Sequence, residues 1–450
     1  MIRINSRKEK DYRHADAFQI VAGWWRHQPG EPGYRHAGFI SLCVMFCMAV
    51  QAQTTAVNPF PPVPNPDRIV LNVTQDPSTS IAVNWRTCDT VREGFLEIMP
   101  VTADPRAVDK ALQKQAKSEA FQFEDIAANY HSVTVSGLTP KTVYMYRVGQ
   151  GAHWSEWFHT KTAGKSGDKL SFIYLGDVQA GIKTLWPRVI RDAYARMPEA
   201  NLILYAGDIV NRGNNDVEWG ELFYGGSFIH STIPGMHSPG NHEYARTGDT
   251  LSAFWRPQFS LPENGPEGLK ESCYYTDVQG MRFISINSYR VEESDEDLQK
   301  QKVWVDSLLR NNPNQWTAVL FHHPFYSIRP TRDNIRMRNT FKPLFDKYKV
   351  DIVLQGHDHA YARGMQKIEG ATKNERSGTV YVLSVSGPKM SSKFEGGWMD
   401  VSATYTQLYQ LITVEGNTLQ YKAYTATGEL YDAFDLLKQK GKPNKMVEKK

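Results

Sequence analysis

From residue 67 the chain runs as short stretches in which apolar and polar side chains alternate, at 68–73, 80–87, 94–99, 131–135, 143–150 and 157–162. Alternation of period two predicts half-buried strands, and strands at this spacing with turn residues between them predict a two-layer sandwich over 67–163. Trp85 is placed in its core. Leu138-Thr139-Pro140 followed by Tyr144 matches a corner in which a tyrosine hydroxyl bonds back to the turn before it. Nothing in this stretch gathers titratable groups, so it reads as structural support or as one wall of a cleft.

After 163–168 the pattern changes. Continuous apolar runs now alternate with segments of helical spacing at 184–197 and 297–311, and Val303, Val305 and Leu308-Leu309 of the latter lie on or near one face beside Trp304. The runs 408–414 and 418–423, joined by Glu415-Gly416-Asn417, predict a hairpin. These signals define an α/β domain over 169–426, and 427–450 reads as a polar basic tail.

Five of the apolar runs end in side chains that bind metals. The run 171–175 leads into Gly176-Asp177, 202–205 into Gly207-Asp208, 235–237 into Gly240-Asn241-His242-Glu243, 318–321 into His322-His323-Pro324, and 350–354 into Gly356-His357-Asp358-His359. An α/β sheet brings the carboxyl ends of its strands to one crevice, so groups far apart in sequence can meet there. Side chains two apart on an extended backbone point the same way, which aims His357 and His359 at one place. Carboxylate, amide and imidazole donors together suit Fe, Mn or Zn.

Composition narrows the partners. With 41% hydrophobic and 22% charged residues the chain is globular, and a net charge of +4, much of it in the two ends, argues against a nucleic-acid binder. The uncharged apolar run 38–50, followed by Val50-Gln51-Ala52, is short for a stable transmembrane span and reads as the core of a signal peptide in a leader 1–52. Export to the periplasm, the cell surface or the medium follows, with an uncleaved anchor as the alternative. A proline-rich linker occupies 53–66. Cys43 and Cys47 fall in the leader, and Cys88 and Cys273 are expected as unpaired buried thiols.

The ordered set Gly-Asp, Gly-Asp, Gly-Asn-His-Glu, His before x-Pro, and Gly-His-x-His resembles the calcineurin-like metallophosphoesterase superfamily. Gly356 to Arg363, reading Gly-His-x-His-Ala-Tyr-x-Arg, together with the front sandwich, resembles its purple acid phosphatase branch. The resemblance implies a fibronectin III-like all-β domain ahead of an α/β metallophosphoesterase domain, a β-sandwich flanked by helices. It also implies two metal ions. The first would take Asp177, Asp208 and His359; the second would take Asp208, Asn241, His322 and His357, with Asp208 bridging. His242 faces the substrate in the family, to stabilise the transferring phosphoryl group or protonate the leaving oxygen, with Glu243 either orienting it or standing as a solvated turn carboxylate. Arg212, His323 and Tyr361 are expected near the phosphate. Arg329, Arg332, Arg336 and Arg338 read as an anion-recognising loop or a solvated helix face, and His230 and His237 as core or surface residues.

The chain departs from the family pattern at two positions. The branch places a tyrosine three residues after the bridging aspartate, where this chain has Asn211, and many other members place a histidine two residues after the first aspartate, where it has Gln179. Gln179 can offer an amide oxygen to the first metal or leave the position to water. A protein without a tyrosinate colour is expected. The function this implies is hydrolysis of phosphate monoesters on a small phosphorylated substrate by metal-hydroxide attack. A phosphodiesterase or nucleotide pyrophosphatase on the same site is the alternative within enzymes, and a non-catalytic surface binding protein with a degenerate site is the alternative outside them.

Overall fold

Asp67–Asn72, Ile81–Cys88, Phe95–Pro100, Ile126–Val135, Val143–Gln150 and Phe158–Lys161 form the strands of the front half in a computed structural model that describes residues 58–245, 249–367, 376–392 and 397–449. The leader 1–52, with Cys43 and Cys47, and the first part of the linker lie outside the described residues. Trp85 packs between the layers with Leu96, Ile98, Val133, Tyr146 and Val148, and the Tyr144 hydroxyl accepts the Thr139 N–H at 2.9 Å. Two further strands, Leu112–Gln115 and Lys117–Phe123, escape the alternation pattern. No residue of either is fully buried, so neither carries the apolar face that marks a strand in sequence.

The two halves share a sheet. Among the described residues eleven strands form one continuous sheet, in which Asn72 of the front half pairs in parallel with Gly235 of the second. A buried ionic cluster reinforces the join. The Arg68 guanidinium lies 2.7 Å from Asp216, and Arg86 lies between Asp216, at 3.3 Å, and Asp67. Asp216 opens the helix Asp216–Gly226, whose N-cap Asn215 accepts the Glu218 N–H, and this helix follows directly on the loop that carries Asp208 to Arg212. The front half therefore holds one end of that loop.

In the second half, Leu170–Leu175, Leu202–Tyr205 and Gly235–His237 run parallel within the eleven-stranded sheet. Met281–Ser285, Trp316–Leu320, Ile352–Gln355 and Arg376–Leu383 run parallel within a seven-stranded one. The sheets meet face to face, with Phe172 edge-on to Phe283 at 5.2 Å and Leu204, Ile352 and Leu354 in the same buried cluster. Helices Asp295–Arg310 and Ile335–Tyr348 cover the far side of the second sheet through Val305, Leu309, Phe341 and Phe345. Strands buried on both faces read as near-continuous apolar runs. This is why 202–205 and 350–354 stand out as runs rather than alternations.

The segment 427–450 is a correction to the reading of a polar tail. Leu430–Leu437 and Lys445–Glu448 are strands that complete the eleven-stranded sheet. The charge that suggested solvent is neutralised inside the fold. Asp432 is buried against Arg363 at 2.8 Å, and Phe434 stacks on Tyr421 with centroids 4.6 Å apart. Cys88 is half-buried and Cys273 buried, and both are free. No helix among the described residues is long and apolar enough to cross a membrane.

Candidate metal centre

Every motif turns directly after its strand, and the turns are tight. Gly207 has φ +82°, and a Cβ there would lie 2.7 Å from both the Gly240 nitrogen and His322 Nδ1, so only glycine fits. Asp208, His357 and His359 also have positive φ, at 49°, 80° and 52°. Left-handed backbone at non-glycine residues costs about 1–3 kcal/mol each and persists only where surrounding contacts impose it. Those contacts are present. The buried Glu243 carboxylate accepts the N–H groups of Asp208, Ile209 and Gly240 at 2.7–2.9 Å. Asp177 accepts the His357 N–H at 2.7 Å, and the Ser391 N–H donates to the His359 carbonyl at 2.9 Å. Glu243 thus spends both carboxylate oxygens on the backbone of the Asp208 turn and Gly240, while His242 is oriented by the Asn211 carbonyl, which corrects both expected roles of Glu243.

The side chains of these turns converge from both sheets. His322 Nδ1 faces the Ala206 carbonyl at 2.8 Å, which assigns its hydrogen to Nδ1 and leaves a lone pair on Nε2. Around that Nε2 stand Asp208 Oδ2 at 3.1 Å, Asn241 Oδ1 at 3.1 Å and His357 Nδ1 at 3.0 Å. The same Asp208 Oδ2 also accepts from Gln179 Nε2 at 2.8 Å, and that nitrogen lies 2.9 Å from His359 Nε2. Asp177 Oδ1 lies 3.5 Å from the His322 ring. Asp177, Asp208, Asn241, His322, His357 and His359 therefore surround one buried space.

The chemistry of that donor set fits cations. Lone pairs from two imidazoles, a carboxylate and an amide oxygen crowd within hydrogen-bond distance, and one proton on His322 Nε2 could satisfy only part of them. Burial opposes charge on His322, but Asp208 and Asp177 outweigh it and push its pKa up to about 9. Burial also opposes charge on Asp208, yet His322 and His242 hold its carboxyl below the usual carboxylate range. Burial raises Asp177 to about 8 and keeps His357 and His359 neutral, the latter down at about 3. Neutral imidazoles are the form that ligates.

His242 stands at the rim. Its backbone N–H donates to Asp208 Oδ1 at 2.9 Å and its Nδ1 to the Asn211 carbonyl at 2.6 Å. Its Nε2 is directed inward, 3.9 Å from Asp208 Oδ2. Beside it opens a cleft of about 760 Å³ lined by Asn211, Arg212, Asn241, Tyr244 and Tyr289, and by Glu124 of the front half. Arg212 sits at this mouth with its Nε on Glu218 at 2.7 Å. His323 lies against the site, its ring 4.4 Å from His357 and its Nδ1 on Ser288 Oγ at 2.9 Å. Tyr361 does not belong here. It is buried with its hydroxyl on Asp432 at 2.6 Å, so the Tyr-x-Arg end of the last motif anchors the final strands instead of a phosphate. Arg336 and Arg338 pair with Asp295 and Asp333. His230 bonds Tyr205 and His237 stacks on Phe259, both as packing residues.

Two participants were missed in the sequence. Asp358, between the paired histidines, is buried and gathers Ser327 Oγ, the Ile328 N–H and Arg332, tying the 327–332 loop to the site. Lys389 places its Nζ 3.0 Å from Gln179 Oε1. Its signal was legible, because it lies in Gly387-Pro388-Lys389 just past the apolar run 380–383, a sixth strand end of the same kind.

Residues 66–162 match the family described as Purple acid Phosphatase, N-terminal domain, and residues 170–361 match that described as Calcineurin-like phosphoesterase. The chain is 29% identical to purple acid phosphatase 21 of Arabidopsis thaliana over 58% of its own length and 58% of that protein's, so it spans under two thirds of this relative. It is 27% identical to human acid phosphatase type 7 over 74% of its length and 76% of that protein's. The fold is that of a purple acid phosphatase from yellow lupin seeds, with a TM-score of 0.68 at 18% identity, over 82% of this chain and 74% of that one. With the two domains in this order and the five strand-end motifs around one space, the chain belongs to the calcineurin-like metallophosphoesterases, in the purple acid phosphatase-like branch.

Proposed function

We propose that this protein is an exported hydrolase of phosphate monoesters that works with two metal ions. The observation that carries the reading is the convergence of Asp177, Asp208, Asn241, His322, His357 and His359 beside the inward-facing Nε2 of His242. Two bound cations would supply charge neutralisation for an in-line phosphoryl displacement and a water acidic enough to attack near neutral pH. Asp177, Asp208 and His359 would hold the first, and Asp208, Asn241, His322 and His357 the second.

The other residues bind and move protons. With Nδ1 committed to the Asn211 carbonyl, His242 has Nε2 free to hydrogen-bond a phosphoryl oxygen or to give a proton to the leaving oxygen. Glu218 occupies Nε of Arg212, which leaves both Nη groups for a phosphate at the mouth of the cleft. The names of the relatives, acid phosphatases from plant and human, support the monoester reading. Export rests on the apolar run 38–50 and its flanks.

Turnover of an aryl phosphate against its bis-aryl diester tests the substrate class. The monoester is expected to be cleaved about tenfold faster or more, a difference of ~1.4 kcal/mol in barrier. Faster cleavage of the diester would contradict the proposal.

A further inference from the structure

Of the residues around the proposed centre, Lys389 has no counterpart in any of the motifs, and its placement is fixed from both sides. The Gly387 N–H donates to the Asp177 carbonyl at 2.7 Å, and the Ser391 N–H to the His359 carbonyl at 2.9 Å. The loop bearing Lys389 is thus fastened to two of the turns that carry first-metal ligands. Among the described residues Lys389 has no carboxylate partner, and its ammonium donates to Gln179 Oε1 at 3.0 Å.

That single bond decides what Gln179 does. An ammonium only donates, so turning the amide over would set an NH2 against an NH3+. Gln179 Oε1 is held toward Lys389 and its Nε2 toward Asp208 and His359. An amide nitrogen with its lone pair delocalised is no metal ligand, and the oxygen that could ligate is engaged elsewhere.

Building on the metal-centre reading above, we infer that Lys389 is a positioning residue that keeps Gln179 out of the coordination shell and places a fixed positive charge beside the first metal position. The first position then has three protein ligands and an ammonium that no carboxylate neutralises, whereas the second has four ligands, and the cation on its side, Arg332, is paired with Asp358. The two ions bind with unequal affinity, and Lys389 sets the gap.

Titration of the metal-free protein with Mn²⁺ against a chelating dye reads both steps without any substrate. Wild type is expected to bind two ions in steps about tenfold or more apart in Kd. Lys389→Met, which keeps the aliphatic stem, removes the charge and frees Gln179, is expected to tighten the weaker step about tenfold and leave the tighter one unchanged. Lys389→Arg, which retains the charge, keeps the wild-type gap. Two equal steps in wild type, or an unchanged gap in Lys389→Met, would overturn the inference and leave the metal-centre reading standing. Binding of no ion by any of the three proteins would overturn that reading and this inference together.

Discussion

Asp208→Asn is expected to lower hydrolysis of an aryl phosphate by about 10³-fold or more and to leave at most one tightly held ion per chain. Asp208 joins both halves of the donor set, with Oδ2 3.1 Å from His322 Nε2 and 2.8 Å from Gln179 Nε2, which in turn lies 2.9 Å from His359 Nε2. Losing the charge that holds two cations together removes several kcal/mol of transition-state stabilisation, and about 4 kcal/mol corresponds to three decades in rate. Asparagine is the informative replacement. Asp208 has φ 49°, a conformation asparagine adopts more readily than most residues, and the backbone N–H held by Glu243 is unaffected. A folded Asp208→Asn protein that retains two ions and wild-type turnover would remove Asp208 from the bridging role.

His242→Asn is expected to lower turnover about 10²- to 10⁴-fold while leaving metal content unchanged. The separation of the two effects follows from position. The His242 ring reaches toward the site through Nε2, 3.9 Å from Asp208, and its Nδ1 is on the Asn211 carbonyl, while the bond to Asp208 Oδ1 comes from its backbone N–H, so replacing the side chain removes no ligand. Comparing esters distinguishes its two possible tasks. If Nε2 protonates the leaving oxygen, an alkyl phosphate with a poor leaving group suffers a larger loss than an aryl phosphate; if it steadies the phosphoryl oxygens, both suffer equally. Loss of metal from His242→Asn would contradict its placement outside the donor set.

The parts of the fold legible in sequence are those where one physical requirement dominates. Strands buried on both faces are apolar over most of their length, and the turns that follow them combine glycine with ligand residues, so the ends at Asp177, Asp208, Asn241, His322 and His357 can be read directly. What escapes is whatever depends on a partner remote in sequence. Asp432 looks solvated until Arg363 is seen beside it, which is why the last strands read as a tail. Tyr361, adjacent to two candidate ligands in sequence, belongs to that same buried pair rather than to the phosphate. Glu243 follows His242 directly, yet its carboxylate serves the backbone of another turn, 35 residues away at Asp208. Lys389 shows the opposite failure. Its strand-end signal was present, but lysine is not a metal ligand, and a search for ligand types passes over a residue whose effect is to withhold one.

Side chains from five turns on two sheets are placed to seat a pair of cations. Anomalous scattering from a Mn²⁺-soaked crystal tests it most directly. The account predicts two peaks about 3.5–4 Å apart, one on Asp177, Asp208 and His359 and one on Asp208, Asn241, His322 and His357, with Asp208 touching both. A map with no peak among these residues, or with its manganese elsewhere on the chain, would contradict it.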